Sequence, residues 1–377
     1  MRVYLDYNAT APLREAAREA MLAALSEVGN PSSVHAEGRA ARAIVEQARR
    51  DVAALAGGPA KDVVFTAGGT EAANLALAPG FYGLRRLIVC ATEHVCVLGG
   101  HRFGADAVEV APVGADGRID LERLETLLRG APALVALQAA NNETGVLQPV
   151  FEAAELTRAQ GGLLVCDAAQ AAGRLPLADA ARGADVVLLS AHKFGGPKGA
   201  GALAALRPGL SFETPLLRGG GQERGRRAGT ENVAALAGFG AAARAVMPGL
   251  EAEAARLAGL RDAIAARVRA LAPEATVFAE AAPRLPNTLS FAIPGVAAAT
   301  LLMRLDLEGV AVSSGSACSS GKVGPSHVLA AMGVPAALAA GAIRVSLGWA
   351  SSEADVGGFA EALGKALAGV KARGAAI

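Results

Sequence analysis

Ionisable and small polar residues recur in this chain directly after short apolar runs. Val63 to Phe65 is followed by Thr66, Gly68, Gly69 and Thr70, and Leu87 to Val89 by Thr92, Glu93 and His94. Ala133 to Leu137 leads to Asn141 and Asn142, and Leu163 to Val165 leads to Asp167 and Gln170. Val186 to Leu189 leads to Ser190, His192 and Lys193. Runs this short and apolar read as buried strands. In an open parallel sheet, ligands lie beyond the carboxyl ends of the strands. Any one of these residues alone reads as a polar group satisfied separately at the surface; five ends in a row predict one converged site.

Gly68, Gly69 and Thr70 open a helix-like segment. They offer backbone N–H groups, a hydroxyl and a helix dipole to an anion, most simply a phosphate. No Walker loop is present and no dinucleotide fingerprint follows a strand, so nucleotide binding lacks support. Asp167, just past a buried strand, is costly to desolvate without a cationic partner, and a protonated pyridine nitrogen would serve. Lys193 stands at the next strand end, where partial burial favours Schiff-base chemistry. His94 can lie flat against an aromatic ring. A phosphate cup, a buried carboxylate, a reactive lysine and a stacking imidazole together describe a pyridoxal 5′-phosphate site.

Cys318 adds a second kind of chemistry. It lies in SSGSACSSG (313–321), a stretch too small and polar to pack a core, and a cysteine displayed there reads as a reactive thiol. Cys90 and Cys166 fall within strand-like runs and Cys96 adjoins a helix-like one, so these three read as inert. The four lack ligand-type spacing, and no metal site is expected. His35, His101 and His327 read as surface or structural histidines. Arg218, Arg224, Arg226 and Arg227 form a basic loop near Thr230 that suits a subunit interface.

The elements that must position these groups alternate strand and helix from about Lys61 to Leu206, which predicts an α/β fold with a mostly parallel sheet flanked by helices. After Arg207 the pattern changes to a Gly/Arg-rich loop (218–232), then an Ala-rich helical run to Leu271, bent near Pro248 and Gly249. The remainder reads as a smaller α+β unit that the first residues join. The division expected is 14–248 for a large cofactor-binding domain, and 1–13 with 249–377 for a small domain carrying the cysteine loop. At 377 residues, 52% hydrophobic and 19% charged, the chain is long enough for two cores. Its 36 basic and 35 acidic residues give a net charge of +1, which offers nucleic acid or an anionic membrane no electrostatic attraction. The opening MRVYLDYNATAPL lacks the apolar core of a signal peptide, and four cysteines are too few for a disulfide framework. A cytoplasmic protein is therefore expected.

Nine ordered blocks carry a family resemblance: YLDYNATAP (4–12), GNPSSVHAEGR (29–39), TAGGTEAAN (66–74), TEH (92–94), NNETG (141–145), DAAQ (167–170), SAHKFGGPKGAGAL (190–203), GGGQERGRRAGTEN (219–232) and SSGSACSSG (313–321). Across nearly the whole chain they resemble the NifS/IscS-type cysteine desulfurases of the class V aminotransferase family. The resemblance implies the fold type I of PLP-dependent transferases and conversion of L-cysteine to L-alanine, with the sulfur carried on Cys318 as a persulfide. It implies that Lys193 holds the cofactor, Asp167 pairs with the ring nitrogen, Gln170 meets the ring hydroxyl and His94 stacks on the ring and moves protons. Gly69, Thr70, Ser190 and His192 resemble the phosphate-binding set. Asn142 touches cofactor and substrate, while Arg344, with Asn30, holds the substrate carboxylate. Thr230 corresponds to a threonine that completes the neighbouring subunit's site, which implies a homodimer. A sulfur acceptor such as an iron–sulfur scaffold is implied too, with Cys318 as a transient iron–sulfur ligand. IscS-type chains usually continue past the point where this one stops, so the shorter NifS-like members resemble it more. A selenocysteine lyase, an aminotransferase of the same fold and a persulfide-presenting scaffold remain as alternatives.

Overall fold

A computed structural model of the protein describes residues 2–207, 209, 215–315 and 326–374, with side chains of the last helix up to residue 369. Among these residues the chain opens with β1 (Val3–Tyr4) and then builds its main sheet. That sheet comprises β2 (Val63–Thr66), β3 (Leu87–Cys90), β4 (Val108–Ala111), β5 (Leu134–Gln138), β6 (Leu163–Asp167), β7 (Val186–Ser190) and β8 (Gly201–Ala205). Their spatial order is β2-β8-β7-β6-β5-β3-β4. Strands β3 to β7 pair in parallel with one another, while β8 runs antiparallel to both β7 and β2. Two reversals cancel. β2 therefore runs with β7, and six strands deliver their carboxyl ends to one edge.

Both faces of this sheet are buried, which explains the continuous apolar runs in place of an alternating pattern. Ile88 and Cys90, Leu164 and Cys166, and Val187 and Leu189 face one core, shared with Val45, Val52, Leu236 and Phe239 from helices Ala36–Ala56 and Val233–Val246. Their neighbours Leu87, Val89, Leu163, Val165 and Leu188 face a second core under helix Gly69–Ala76. Alternation along each strand thus fills both sides.

The C-terminal third adds β9 (Thr276–Val277), β10 (Thr288–Ala292), β11 (Val310–Ala311), β12 (Ser313–Ser314) and β13 (Ile343–Ser346). Antiparallel pairing gives a sheet of order β12-β13-β10-β9, and β1 pairs with β11 in parallel. Val3 and Leu5 share a core with Leu289, Phe291, Ile343 and Val345, so the chain's first residues pack with its last third. Helices Val233–Val246 and Leu250–Leu271 meet at 81° across Pro248 and Gly249, where Gly249 takes φ +68°. No single helix among the described residues is long and apolar enough to cross a membrane.

The Gly/Arg-rich stretch holds a single short turn, Gln222–Gly225, anchored from inside. Arg49 grips the buried Glu223 carboxylate with two bonds of 2.7 Å, and Glu223 also accepts from Phe65 N at 3.0 Å. Arg224 and Arg226 donate to Lys61 O, and Arg227 pairs with Glu71.

Candidate active site

A cleft of about 780 Å³ opens at the edge where the strand ends collect. Gly69 and Thr70 line it from after β2, His94 from after β3, Asn142 from after β5, and Asp167 and Gln170 from the end of β6. Ser190, His192 and Lys193 line it from β7. All five strand ends singled out in the sequence meet here.

One end of the cleft is built for an anion. Thr66 Oγ1 donates to Gly68 O at 2.9 Å, and the Glu71 carboxylate accepts from Ala67 N at 2.8 Å, which fixes the turn that starts helix Gly69–Ala76. Gly69 backs onto β7 so closely that a Cβ there would lie 3.2 Å from Ser190 Cβ. His192 Nδ1 lies 3.2 Å from Thr10 Oγ1. Burial, reinforced by Lys193, Lys198 and Arg174, lowers the His192 pKa to about 4, so its ring is neutral at pH 7. A helix start in a cleft that Lys193 and Lys198 also line is a place where a phosphate gains.

The floor of the cleft holds two carboxyls. Asp167 ends β6, and its Oδ1 accepts from Ala169 N at 2.9 Å. Burial raises its pKa, against the opposing pull of that N–H, His94 and Lys193. Glu93, wholly buried behind it, has its pKa pushed up to about 8 by burial and then by Asp167. Its Oε1 accepts from Gln138 N, while Oε2 is buried without a partner. Glu93 therefore favours its protonated form at pH 7, and Asp167 is the carboxyl with the Lys193 ammonium near it.

His94 caps helix Val95–Leu98, and its Nδ1 accepts from Cys96 N at 3.2 Å. Burial lowers its pKa, Lys193 and His327 add to this, and Asp167 opposes it. The ring is then neutral with its proton on Nε2. Lys193 Nζ donates to the carbonyls of Asn8 at 2.8 Å and Ala9 at 3.0 Å. Gln170 Nε2 donates to the same Asn8 carbonyl at 3.1 Å and its Oε1 accepts from Arg174 at 2.9 Å.

Other predicted residues fall elsewhere. Arg344, on β13, is 1% exposed and is not part of the cleft wall; it pairs with Asp6 at 2.8 Å and donates to Asn142 O at 3.1 Å. Its Nε is buried without a partner. Asn30 and Thr230 are exposed and lie outside this chain's cleft lining. Cys318 lies outside the described residues.

Cys90 and Cys166 are buried as expected, and burial pushes the Cys90 thiol up to about 12. Cys96 departs from expectation, because it lines the cleft, with its thiol pushed up by burial. Thr10, Gln138 and Lys198 line it too, unforeseen. Lys198 follows a Pro in SAHKFGGPKG, a signal that a charge returns to the strand-end edge. Thr10 arrives from the other end of the chain, which no local pattern reveals. His327 Nε2 meets Glu93 O at 2.8 Å and His35 caps helix Ala36–Ala56, both structural roles. The described residues hold no cluster suited to a metal ion.

The aminotransferase class-V family profile matches residues 3–359. The chain belongs to the class-V aminotransferase family. Among its relatives is a cysteine desulfurase of Cereibacter sphaeroides, 44% identical over 371 residues, which span 96% of this chain and 95% of the relative. A NifS-like protein from Rickettsia africae superposes with a TM-score of 0.88 at 32% identity, covering 97% of this chain and 99% of that one. A structure of SspA in complex with cysteine superposes at 0.75 and 28% identity, covering 92% and 98%. Within the class-V aminotransferases the chain falls with the NifS/IscS-type cysteine desulfurases. The cleft fits the family's cofactor in its donor chemistry: a helix start at Gly69 and Thr70, with Lys198 on the lining, suits the phosphate, and the buried Asp167 carboxyl suits a cationic ring nitrogen.

Proposed function

We propose that this protein is a pyridoxal 5′-phosphate-dependent cysteine desulfurase that converts L-cysteine to L-alanine and receives the sulfur on Cys318 as a persulfide. The observation that carries the reading is the meeting of Lys193, Asp167, His94 and the Gly69–Thr70 helix start in one cleft. Gly69, Thr70, Ser190 and His192 would hold the phosphate, Gln170 the ring hydroxyl, and Asp167 the protonated ring nitrogen. Bound there, the cofactor supplies an electron sink for the bond to the substrate α-hydrogen.

The protein's own groups do the rest. Lys193 Nζ, cradled by the Asn8 and Ala9 carbonyls, is the amine that takes the α-proton and returns it. His94, neutral with hydrogen on Nε2, stacks on the ring and moves the proton of the substrate thiol. Arg344, next to Asn142, would exchange its bond to Asp6 for the substrate carboxylate, with Asn30 assisting, a task for which the planar guanidinium suits a two-point contact. Cys318, as thiolate, attacks the substrate sulfur. The S–S bond forms as the C–S bond breaks, the electron pair stays with the carbon skeleton, one proton, matching the one Cys318 gave up as thiolate, joins its β-carbon, and the skeleton leaves as alanine. Thr230, exposed and away from its own chain's cleft, would complete the site of a second subunit in a homodimer. An acceptor such as an iron–sulfur scaffold then takes the sulfur, with Cys318 briefly ligating the cluster, in a reducing cytoplasm.

The test is Cys318→Ser. The variant should stay yellow and change its spectrum on adding cysteine, yet release no sulfide. Sulfide release at the native rate would overturn the assignment of Cys318.

A further inference from the structure

Glu143 follows Asn142 in the loop after β5 and is only 5% exposed. Its Oε2 accepts from Ser326 Oγ at 2.5 Å. That hydroxyl in turn accepts from Leu329 N at 3.0 Å, so it also caps helix His327–Ala331. The Gly315 backbone lies close to the same carboxyl, since a Cβ at Gly315 would lie 2.9 Å from Glu143 Oε2. One buried side chain therefore bonds to residue 326 and lies beside residue 315. In the sequence these two positions bracket 316–325, the stretch that contains Cys318.

The loop that presents Glu143 is itself tied to the cleft. Asn141 Oδ1 accepts from Glu143 N at 2.8 Å and Thr144 N at 2.9 Å, while Asn141 Nδ2 donates to Thr92 O at 3.1 Å, two residues before His94. Asn142 O takes bonds from Asn8 and Arg344. A carboxyl is a costly group to bury for a task of shape alone. Here it joins the cleft wall to both flanks of the nucleophile's stretch.

We propose that Glu143 is a positioning residue that fixes Gly315 and Ser326, and with them both ends of the stretch bearing Cys318, against the loop that carries Asn142 into the cleft. The proposal rests on Cys318 being the sulfur acceptor. Burial pushes the Glu143 pKa up to about 7, opposed by the Ser326 bond and by Arg344. Near neutrality the group is thus half protonated, and an amide of the same shape is a fair replacement for it.

The experiment uses the holoenzyme with Glu143→Ala, Glu143→Gln and Ser326→Ala. Three quantities are read: the rate of iodoacetamide alkylation at Cys318, located by mass spectrometry; kcat and KM for sulfide release; and the spectral response to cysteine. Glu143→Ala should shift the alkylation rate several-fold and lower kcat about tenfold, since small misplacements of reacting groups are costly. KM and the spectral response should stay near wild type, and Glu143→Gln should restore both altered quantities. Ser326→Ala should shift them in the same direction and keeps the test alive if Glu143→Ala does not fold. An unchanged alkylation rate and kcat in folded Glu143→Ala, or a loss of the spectral response with kcat, would overturn the proposal. Alkylation is read without turnover, and Cys318→Ser run in parallel judges the acceptor assignment separately.

Discussion

Asp167 and Glu93 share a desolvated floor, and two carboxyls in such a place do not both ionise cheaply. Their surroundings divide the roles. Asp167 has His94 and Lys193 within electrostatic reach, whereas Glu93 has backbone N–H groups of Gln138 and His94 and the like charge of Asp167. Burial disfavours the Asp167 carboxylate, and on the proposed reading a cationic ring nitrogen would offset that cost. Asp167→Asn should therefore act in opposite directions on the two forms. The apoenzyme should gain about 1 kcal/mol of stability by losing a poorly compensated buried acid. The holoenzyme should lose roughly a hundredfold or more in kcat, as when a preorganised electrostatic contact is removed. Thermal melts of the apo form and turnover of the loaded form check this, and a drop in apo stability with full activity would refute it.

At the scale of elements, the cleft depends on one strand laid the wrong way round. β8 lies antiparallel between β7 and β2, and Gly201 at its start pairs with Ser190 and Thr66. There it meets the turn that begins helix Gly69–Ala76: a Cβ at Gly201 would fall 2.4 Å from the Gly68 carbonyl carbon. Gly201→Ala should push that turn away, destabilise the protein by about 1–3 kcal/mol and weaken pyridoxal 5′-phosphate binding. Gly259→Ala, on an exposed helix position with open space around it, is the control and should raise stability by up to about 1 kcal/mol. Cofactor titration by absorbance together with denaturant melts separates the two. The strand ends were legible in the sequence because doubly buried strands must be apolar throughout and end abruptly in polar groups. β4 was not: its residues Val108 to Glu109 are partly buried and Val110 is exposed, as suits an edge strand, so no apolar run marks it. The reversal of β8 was equally hidden, since an apolar strand reads the same in either direction. Arg344 could be named from the motif-bearing resemblance, but its burial against Asp6 needed the meeting of β13 with the chain's first residues.

Over the whole molecule, the first ten residues connect what the sequence keeps apart. Val3 and Leu5 pack in the C-terminal core, Asp6 pairs with Arg344, and Asn8 and Ala9 receive Lys193. A site assembled from such distant segments concentrates buried titratable groups, and these make stability depend on pH. Glu93 and Glu143, raised to about 8 and about 7 from 4.5, keep their protons in the fold after the unfolded chain has lost them. Their contribution is full below about pH 4.5 and is lost as pH rises through 7 to 8. His192 works the other way: lowered to about 4, and joined in direction by His94, it contributes above pH 6.5 and loses that contribution as pH falls through 4. Between about pH 5 and 6.5 the two trends oppose each other, and above 6.5 only the acids still titrate. Apoenzyme stability should therefore be nearly flat from pH 5 to 6.5 and then decline by about 1 kcal/mol per pH unit for each acid, Glu143 ceasing to contribute near pH 7 and Glu93 near pH 8. The apo form is the one to measure, because cofactor binding carries its own proton linkage. Urea melts across this range check the shape, and Glu93→Gln, which cannot ionise, should make the decline shallower. A stability that climbs steadily from pH 6.5 to 8, or a Glu93→Gln curve parallel to wild type, would show that Glu93 is charged in the folded protein.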